Sequence, residues 1–238
     1  MIDTSTDDSI VAASAGELTA QEYSHSRASH SGVIFSHIDA VLSRVGMDIG
    51  RVDILGVGTG PGSFTGLRIA VSTARMIAQL TGKPLVGLHS QYLFASALLC
   101  DPSAGVREGD ILIPAFDAKK SRVFAGVYRA GRGGIETILP AGDYYPSEVA
   151  GKVPDGSRVT ACGNGAVLCA DLFAGTDTFF SAVDGFLPGA EGMARAFIRR
   201  YEENPAEFAG YSATLPFYAR KSDAEILHYQ KIKESMNG

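Results

Sequence analysis

The chain has 238 residues, 45% hydrophobic and 20% charged, enough for one large core or two small ones. A formal net charge of −5 argues against an independent, unspecific nucleic-acid binder, which needs surplus lysine and arginine; a local basic patch stays open. Cys100, Cys162 and Cys169 form no CxxC pair, which speaks against a zinc or disulfide framework and suits a reducing cytoplasm; the acidic start with Asp3, Asp7 and Asp8 is unlike a signal peptide, and no apolar run is long enough to span a bilayer.

The opening residues, MIDTSTDDSIVAAS, read as strand, tight turn, strand, and two readings of Asp3 to Asp8 stay open, a merely polar hairpin turn or a hairpin that turns an Asp and a Ser/Thr toward a phosphate. A third strand is predicted over 17–24. A helix follows from about Ser29 to Val45, with Ile34, Phe35, Ile38, Val41, Leu42 and Val45 on one stripe and Gly46 as its stop. His25, His30 and His37 precede or lie on this helix, but no carboxylate or cysteine completes a ligand set, so they read as surface or interface histidines and no metal site is expected.

Residues 53–82, DILGVGTGPGSFTGLRIAVSTARMIAQLTG, read as buried strand, glycine loop and helix. Ser63 is placed to N-cap the helix, Phe64 to Thr81 favour it, Gly82 is a natural C′ residue and Pro84 prevents continuation. Such a loop has two readings, a structural turn or a phosphate cradle on a helix N-terminus. It matches neither nucleotide pattern: Gly66 is followed by Leu67 rather than by the lysine of a P-loop, and Ser63 stands where the dinucleotide pattern needs glycine.

Further along, Leu85 to Leu88 reads as a strand, Ser90 to Leu99 as an apolar helix, and Asp101 to Gly109 as the clearest linker. Ile111 to Phe116 and Arg122 to Tyr128 read as a hairpin, with Ile135 to Leu139 as a third strand. The turn between the first two carries Asp117, Lys119, Lys120 and Arg122, which alone is a solvated cationic hairpin. Arg158 to Cys162 reads as a strand, and Gly163 to Ala166 as a turn into a helix over Val167 to Phe173; structural turn and ligand loop are both open for it. Helix is expected over Glu191 to Glu203, then an extended aromatic segment, then a short charged helix over 223–234.

Gly60 to Arg68 closely resembles the GPGSFTGLR signature of the TsaB (YeaZ) family, partner subunits in threonylcarbamoyladenosine formation on tRNA. Ile2 to Ser5 is similar to the Ile-Asp-Thr-Ser start of that family, whose members usually carry a few more apolar residues before it. The first strand is thus cut short, through a misplaced start, a trimmed chain or a real variation. Asp117 to Phe124 resembles the family's DAR-x-GEVY hairpin, with Lys119 in place of arginine and Ser121 in place of glycine, where a left-handed turn is less comfortable. Gly163 to Ala166 resembles its G-[DN]-G-A element, and Pro216 to Arg220 its P-x-Y-x-R tail. The resemblance runs from Ile2 to about Arg220 and is weak between Gly131 and Gly156.

The resemblance implies an α/β, actin-like (ASKHA) two-subdomain fold with mixed sheets flanked by helices. Residues 1–103 form the first subdomain, 104–211 a smaller second, and 212–238 a tail returning to the first. It implies a non-catalytic subunit that binds and activates the TsaD catalytic subunit, with the TsaE ATPase, in threonylcarbamoyl transfer to the adenosine next to the tRNA anticodon. No nucleophile–base pair is visible, and the histidine metal motif of TsaD is absent. No cofactor of its own is expected; ATP or ADP belongs, if anywhere, to the complex interface, and tRNA is met only through the complex. The expected partner interface is Ile34, His37, Ile38, Phe64, Leu67, Arg68, Val71 and Arg75, from two helices that an unpartnered chain could use to homodimerise. Asp3, Ser5, Gly62, Asp117 and Lys119 are the candidate contacts for nucleotide or TsaE. The alternatives are a stand-alone small actin-like ATPase or kinase and, more remotely, a peptidase, for which neither metal site nor triad is visible.

Overall fold

The computed structural model describes residues 1–25 and 30–220. In chain order the elements are β1 (Ile2–Asp3), β2 (Asp8–Ala15), β3 (Leu18–His25), α1 (His30–Arg44), β4 (Leu55–Gly58), α2 (Phe64–Thr81), β5 (Leu85–Leu88), α3 (Ser90–Cys100), β6 (Ile111–Asp117), β7 (Val123–Gly131), β8 (Gly134–Tyr144), α4 (Pro146–Ala150), β9 (Arg158–Cys162), α5 (Val167–Ala170), β10 (Phe179–Val183) and α6 (Ala190–Glu203). The helix expected over 223–234 and the start expected at Ser29 lie outside the described residues.

One plan is used twice. The first sheet runs β3-β2-β1-β4-β5 and the second β8-β7-β6-β9-β10. In each, the opening three strands form an antiparallel meander, and the last two lie parallel to its first strand. The parallel strands are joined by helical crossovers, as parallel pairing requires. The two halves of the chain thus repeat one strand order.

The layers alternate. Helices α1 and α2 cover one face of the first sheet, sharing a core with Ile2, Val11, Val57 and Leu85. Helix α6 lies on the other face against β2, β3 and β5, and packs on α3, which in turn covers β6, β7 and β8. Helices α4 and α5 close the outer side of the second sheet. Because α3 is covered from several sides, Leu93, Phe94, Ala95, Ala97 and Leu98 are all buried and the helix is apolar around most of its circumference. Gly192 lets α6 approach closely: a Cβ there would stand 2.5 Å from the Cα of Ala97.

Local chemistry explains the boundaries. Ser63 caps α2 by accepting from the Gly66 amide, and left-handed Gly82 ends it, as the spacing predicts. The expected continuation of helix to Phe173 is corrected, since α5 stops at Ala170. Tighter turns follow, with Leu172 bonding back to Cys169 and Phe173 to Ala170. Strand β8 runs on to Tyr144, five residues past the expected end at Leu139. Two elements went unread. Strand β10 is a short edge strand with little period-2 signal, and α4 is a single turn opened by Pro146 and by the Glu148 carboxylate accepting from the Tyr145 amide. The tail folds back on the first sheet: the Phe217 amide donates to the Thr59 carbonyl, and the Thr214 hydroxyl to that of Leu85.

Candidate functional site

The first hairpin turn and the glycine loop are built into one another. The Asp3 carboxylate is fully buried and accepts from the Ser5 amide at 2.9 Å, the Ser5 hydroxyl at 2.6 Å and the Ser90 hydroxyl at 2.6 Å. Burial holds the Asp3 carboxyl above its ordinary range, outweighing the bonds from Ser5 and Ser90 that pull it down. Glycine at 58 makes room for it, as a Cβ there would fall 1.7 Å from Asp3 Oδ2. Similarly, a Cβ on Gly62 would meet the Ser5 carbonyl at 2.2 Å, and one on Gly66 the Thr4 carbonyl at 1.9 Å. The Ser63 amide donates to the Ser5 carbonyl at 2.7 Å, and the Gly66 amide to the Ser63 hydroxyl at 3.3 Å. These two donors at the start of α2 are therefore spent inside the chain rather than turned toward a phosphate.

Above this floor lies a cavity of about 310 Å³ between the two sheets. The ends of both pseudo-equivalent hairpins reach it, Ser5 to Asp7 from the first and Ala118 and Lys119 from the second. Of the five contacts expected here, Ser5, Gly62, Asp117 and Lys119 line the cavity, and Asp3 sits behind Ser5. Lys119 donates through its backbone N–H to Asp117 Oδ1 at 2.7 Å and through Nζ to Oδ2 at 2.6 Å, and these bonds hold the Asp117 carboxyl below its usual range. Lys119, Lys120 and Ser121 all have positive φ, of 63°, 54° and 57°. The turn thus takes the left-handed form that the serine makes costly, clamped by a 3.0 Å bond from the Ala118 amide to the Arg122 carbonyl.

Other lining residues come from far along the chain. Asn164 Oδ1 accepts from the Asp117 amide at 2.9 Å, Arg220 donates to the Ala118 carbonyl at 2.8 Å, and the Phe64 and Tyr218 rings meet at a tilt of 32°, 4.6 Å between centres. Asn164 stood in a turn already open to a ligand role. Tyr218 and Arg220 were visible only as a tail motif, because nothing local in the sequence says which surface that tail crosses. Gln91, at the first turn of α3, donates to the carbonyls of Pro61 and Phe124 and ties the glycine loop to the second sheet. Among the described residues, no three His, Cys, Asp or Glu side chains stand close enough together to hold a metal ion.

The helix pair needs a correction. Ile34, Ile38, Leu67 and Val71 were expected at a partner surface, yet all four are buried within this chain, none more than 9% exposed. The stripe that marks a helix as amphipathic is the stripe its own sheet takes. Of the other expected residues, Arg68 is exposed, whereas His37, Phe64 and Arg75 are half-buried; Arg68 lies over the Phe64 ring at 4.1 Å and donates to the Tyr218 hydroxyl at 3.1 Å. The outward apolar residues of the two helices are Phe35, 48% exposed, Met76, 42%, and Leu80, 79%.

Two sheets of one repeated strand order, with paired hairpin turns facing each other across a cleft, define an actin-like protein. The solved structure of YeaZ from Pseudomonas aeruginosa has this fold, with a TM-score of 0.76 at 22% identity over 91% of this chain and 97% of that one. A family model described as TsaD, tRNA N6-adenosine threonylcarbamoyltransferase, matches residues 22–179. The protein named tRNA threonylcarbamoyladenosine biosynthesis protein TsaB in Bacillus subtilis is 35% identical over 35% of this chain and 34% of its own length. The protein of the same name in Haemophilus influenzae is 28% identical over 40% of this chain and 38% of its own. The matched stretches thus span little more than a third of those two relatives. The chain belongs to the TsaB (YeaZ) family within that wider threonylcarbamoyltransferase group. Among the described residues, no helix is long and apolar enough to cross a membrane.

Proposed function

We propose that this chain is the accessory, non-catalytic subunit of the assembly that transfers a threonylcarbamoyl group to the adenosine next to the anticodon of tRNA. It binds the TsaD catalytic subunit, with TsaE as a further partner, in the cytoplasm. The observation that carries this reading, beside the family, is the outward face of α1 and α2, where Phe35, Met76 and Leu80 stand exposed with Arg68 and the half-buried Arg75 on the same helices. Two adjacent helices with such a face can pack against two helices of a partner. Binding one state of the catalytic subunit better than the other raises the population of that state, so no bond-making group is needed on this chain. ATP or ADP, where the complex takes one, is shared at the interface beside Lys119 and Arg220, since the amides of Ser63 and Gly66 are already engaged.

The test is reconstitution of the transfer reaction from TsaD, TsaE, the threonylcarbamoyl donor and tRNA, with and without this chain. Modification is expected only in the complete mixture; equal modification in both removes the reading. The variants Arg75→Glu and Leu80→Asp are expected to weaken retention of TsaD by about tenfold or more, the loss of one good interface contact. The second reading, a stand-alone ATPase or kinase, is favoured by the cleft between the hairpins. Calorimetry with ATP and magnesium on the isolated chain separates the two, because a competent kinase binds without a partner.

A further inference from the structure

The two sheets have four outer strands, β3, β5, β8 and β10. Three of these edges are blunted. Arg44 donates to the Gln21 carbonyl on β3 at 3.2 Å, and the Thr214 hydroxyl to the Leu85 carbonyl on β5 at 3.3 Å. Strand β8 carries Pro140, which has no backbone N–H, at an irregularity in its register with β7. Strand β10 has none of these devices. The Phe179 amide donates inward to the Ser157 carbonyl at 3.0 Å, so alternation turns the amides and carbonyls of Phe180 and Ala182 outward. Among the described residues, no hydrogen bond engages those outward groups.

The surface beside this edge is apolar. Phe179 is 61% exposed, and Phe180 is half-buried and stacks on Phe173 at 5.2 Å between ring centres. On the Phe180 side, α5 and the turns after it leave Leu168 and Leu172 exposed. The charge around the strand has one sign. Residues 171–191 hold Asp171, Asp177, Asp184 and Glu191 and no lysine or arginine. Glu191 is paired with Arg195, whereas Asp171, Asp177 and Asp184 have no ion pair among the described residues. Arg158, 6.0 Å from the Phe179 ring centre, is already bonded to Asp110 at 3.0 Å.

We propose that β10 is a docking edge for an extended peptide segment of another protein, apolar in its middle and carrying lysine or arginine at both ends. The segment runs antiparallel to β10, the more stable pairing per residue, and exchanges backbone bonds with Phe180 and Ala182. A β-branched residue opposite Phe179 covers the exposed ring, and the end cations lie beside Asp177 and Asp184. A second copy of this chain would bring the same acidic rim against itself, so like charges oppose self-pairing. The edge belongs to the second sheet and uses neither the cleft nor the α1–α2 face.

The probe is the synthetic peptide Lys-Thr-Leu-Thr-Val-Val-Thr-Lys, whose first residue falls opposite Asp184 and whose last falls opposite Asp177. Titrated against the full chain, it is expected to bind with a Kd of about 0.1–1 mM, since so short an edge buries far less than a standard interface. It is also expected to protect the Phe180 and Ala182 amides from hydrogen exchange. Replacing both lysines by glutamate, or raising the salt from about 0.05 to 0.5 M, should weaken it about tenfold. Methylating the peptide amides opposite Phe180 and Ala182 should abolish binding. In the protein, Ala182→Pro removes an outward amide while sparing the ladder to β9, and is expected to lose the peptide. The exposed pair Asp177→Lys and Asp184→Lys, which touches no core, should reverse the preference in favour of the glutamate-ended peptide. The proposal is overturned if the lysine- and glutamate-ended peptides bind alike, if the methylated peptide binds as well as its parent, or if nothing binds at millimolar concentration. It is equally overturned if Phe180 and Ala182 are already protected without peptide, as under a second copy or another part of the chain. None of these outcomes depends on TsaD, so they stand apart from the test of function.

Discussion

At the scale of single residues, Asp3 decides the character of the cleft floor. A carboxylate with three hydrogen-bond donors would ordinarily ionise easily, but here burial outweighs the bonds. Its folded-state pKa lies above the unfolded value, so this group's contribution to stability is complete below about pH 4 and is lost as the pH rises through the folded pKa. Asp3→Asn cannot ionise and keeps an acceptor for Ser5. In urea unfolding between pH 4 and 8, the wild type is therefore expected to lose stability relative to Asp3→Asn as the pH rises. A flat difference would mean that the carboxyl is unperturbed. The Met1 amine, lowered to about 6, adds a slope of opposite sign between pH 6 and 8, but it is common to both proteins and cancels in the difference.

At the scale of elements, the crossing of α3 and α6 joins the halves of the molecule. Both helices have small residues at the contact, and the backbones meet over Gly192 and Ala97. Replacing a helical glycine by alanine should stabilise by about 1 kcal/mol on propensity alone. At Gly192 the added methyl would meet backbone atoms of Ala97 and Ser96 at 2.5 to 3.0 Å, which cannot swing aside as a side chain could. Gly192→Ala is expected to reverse the propensity gain and cost about 1–3 kcal/mol, read as a Tm lower by several degrees. A rise in Tm would show that the helices separate cheaply.

At the scale of the whole molecule, the repeated strand order brings two turns of the same kind to one cleft, and the tail straps across it. Phe217 is bonded to the first sheet's Thr59, and three residues later Arg220 reaches the Ala118 carbonyl on the second sheet's hairpin. Arg220→Gln removes a charge-assisted bond and is expected to cost about 1.5–3 kcal/mol. Faster proteolysis in the tail is expected to accompany the loss. Unchanged stability and cleavage would mean that the halves are held by α3, α6 and Gln91 alone.

Much of this was readable along the chain. Alternation, helical spacing and glycine or proline stops located most strands and the long helices, and α2 matches to the residue because Ser63 and Gly82 mark its ends chemically. These are local effects, settled by neighbours within a few positions. The nine residues Gly60 to Arg68 identified the family because so many are constrained at once: Gly62 and Gly66 by carbonyls they nearly touch, Ser63 by its cap, Leu67 by its burial against Gly60. What the sequence could not decide was direction. The apolar stripe of α1 and α2 is the same string of letters whether it faces a partner or its own sheet, and the fold spent Ile34, Ile38, Leu67 and Val71 on the latter. Likewise, the meeting of Lys119, Asn164 and Arg220 at one cleft arises from contacts between segments tens to hundreds of residues apart. Only the packed chain sets those distances.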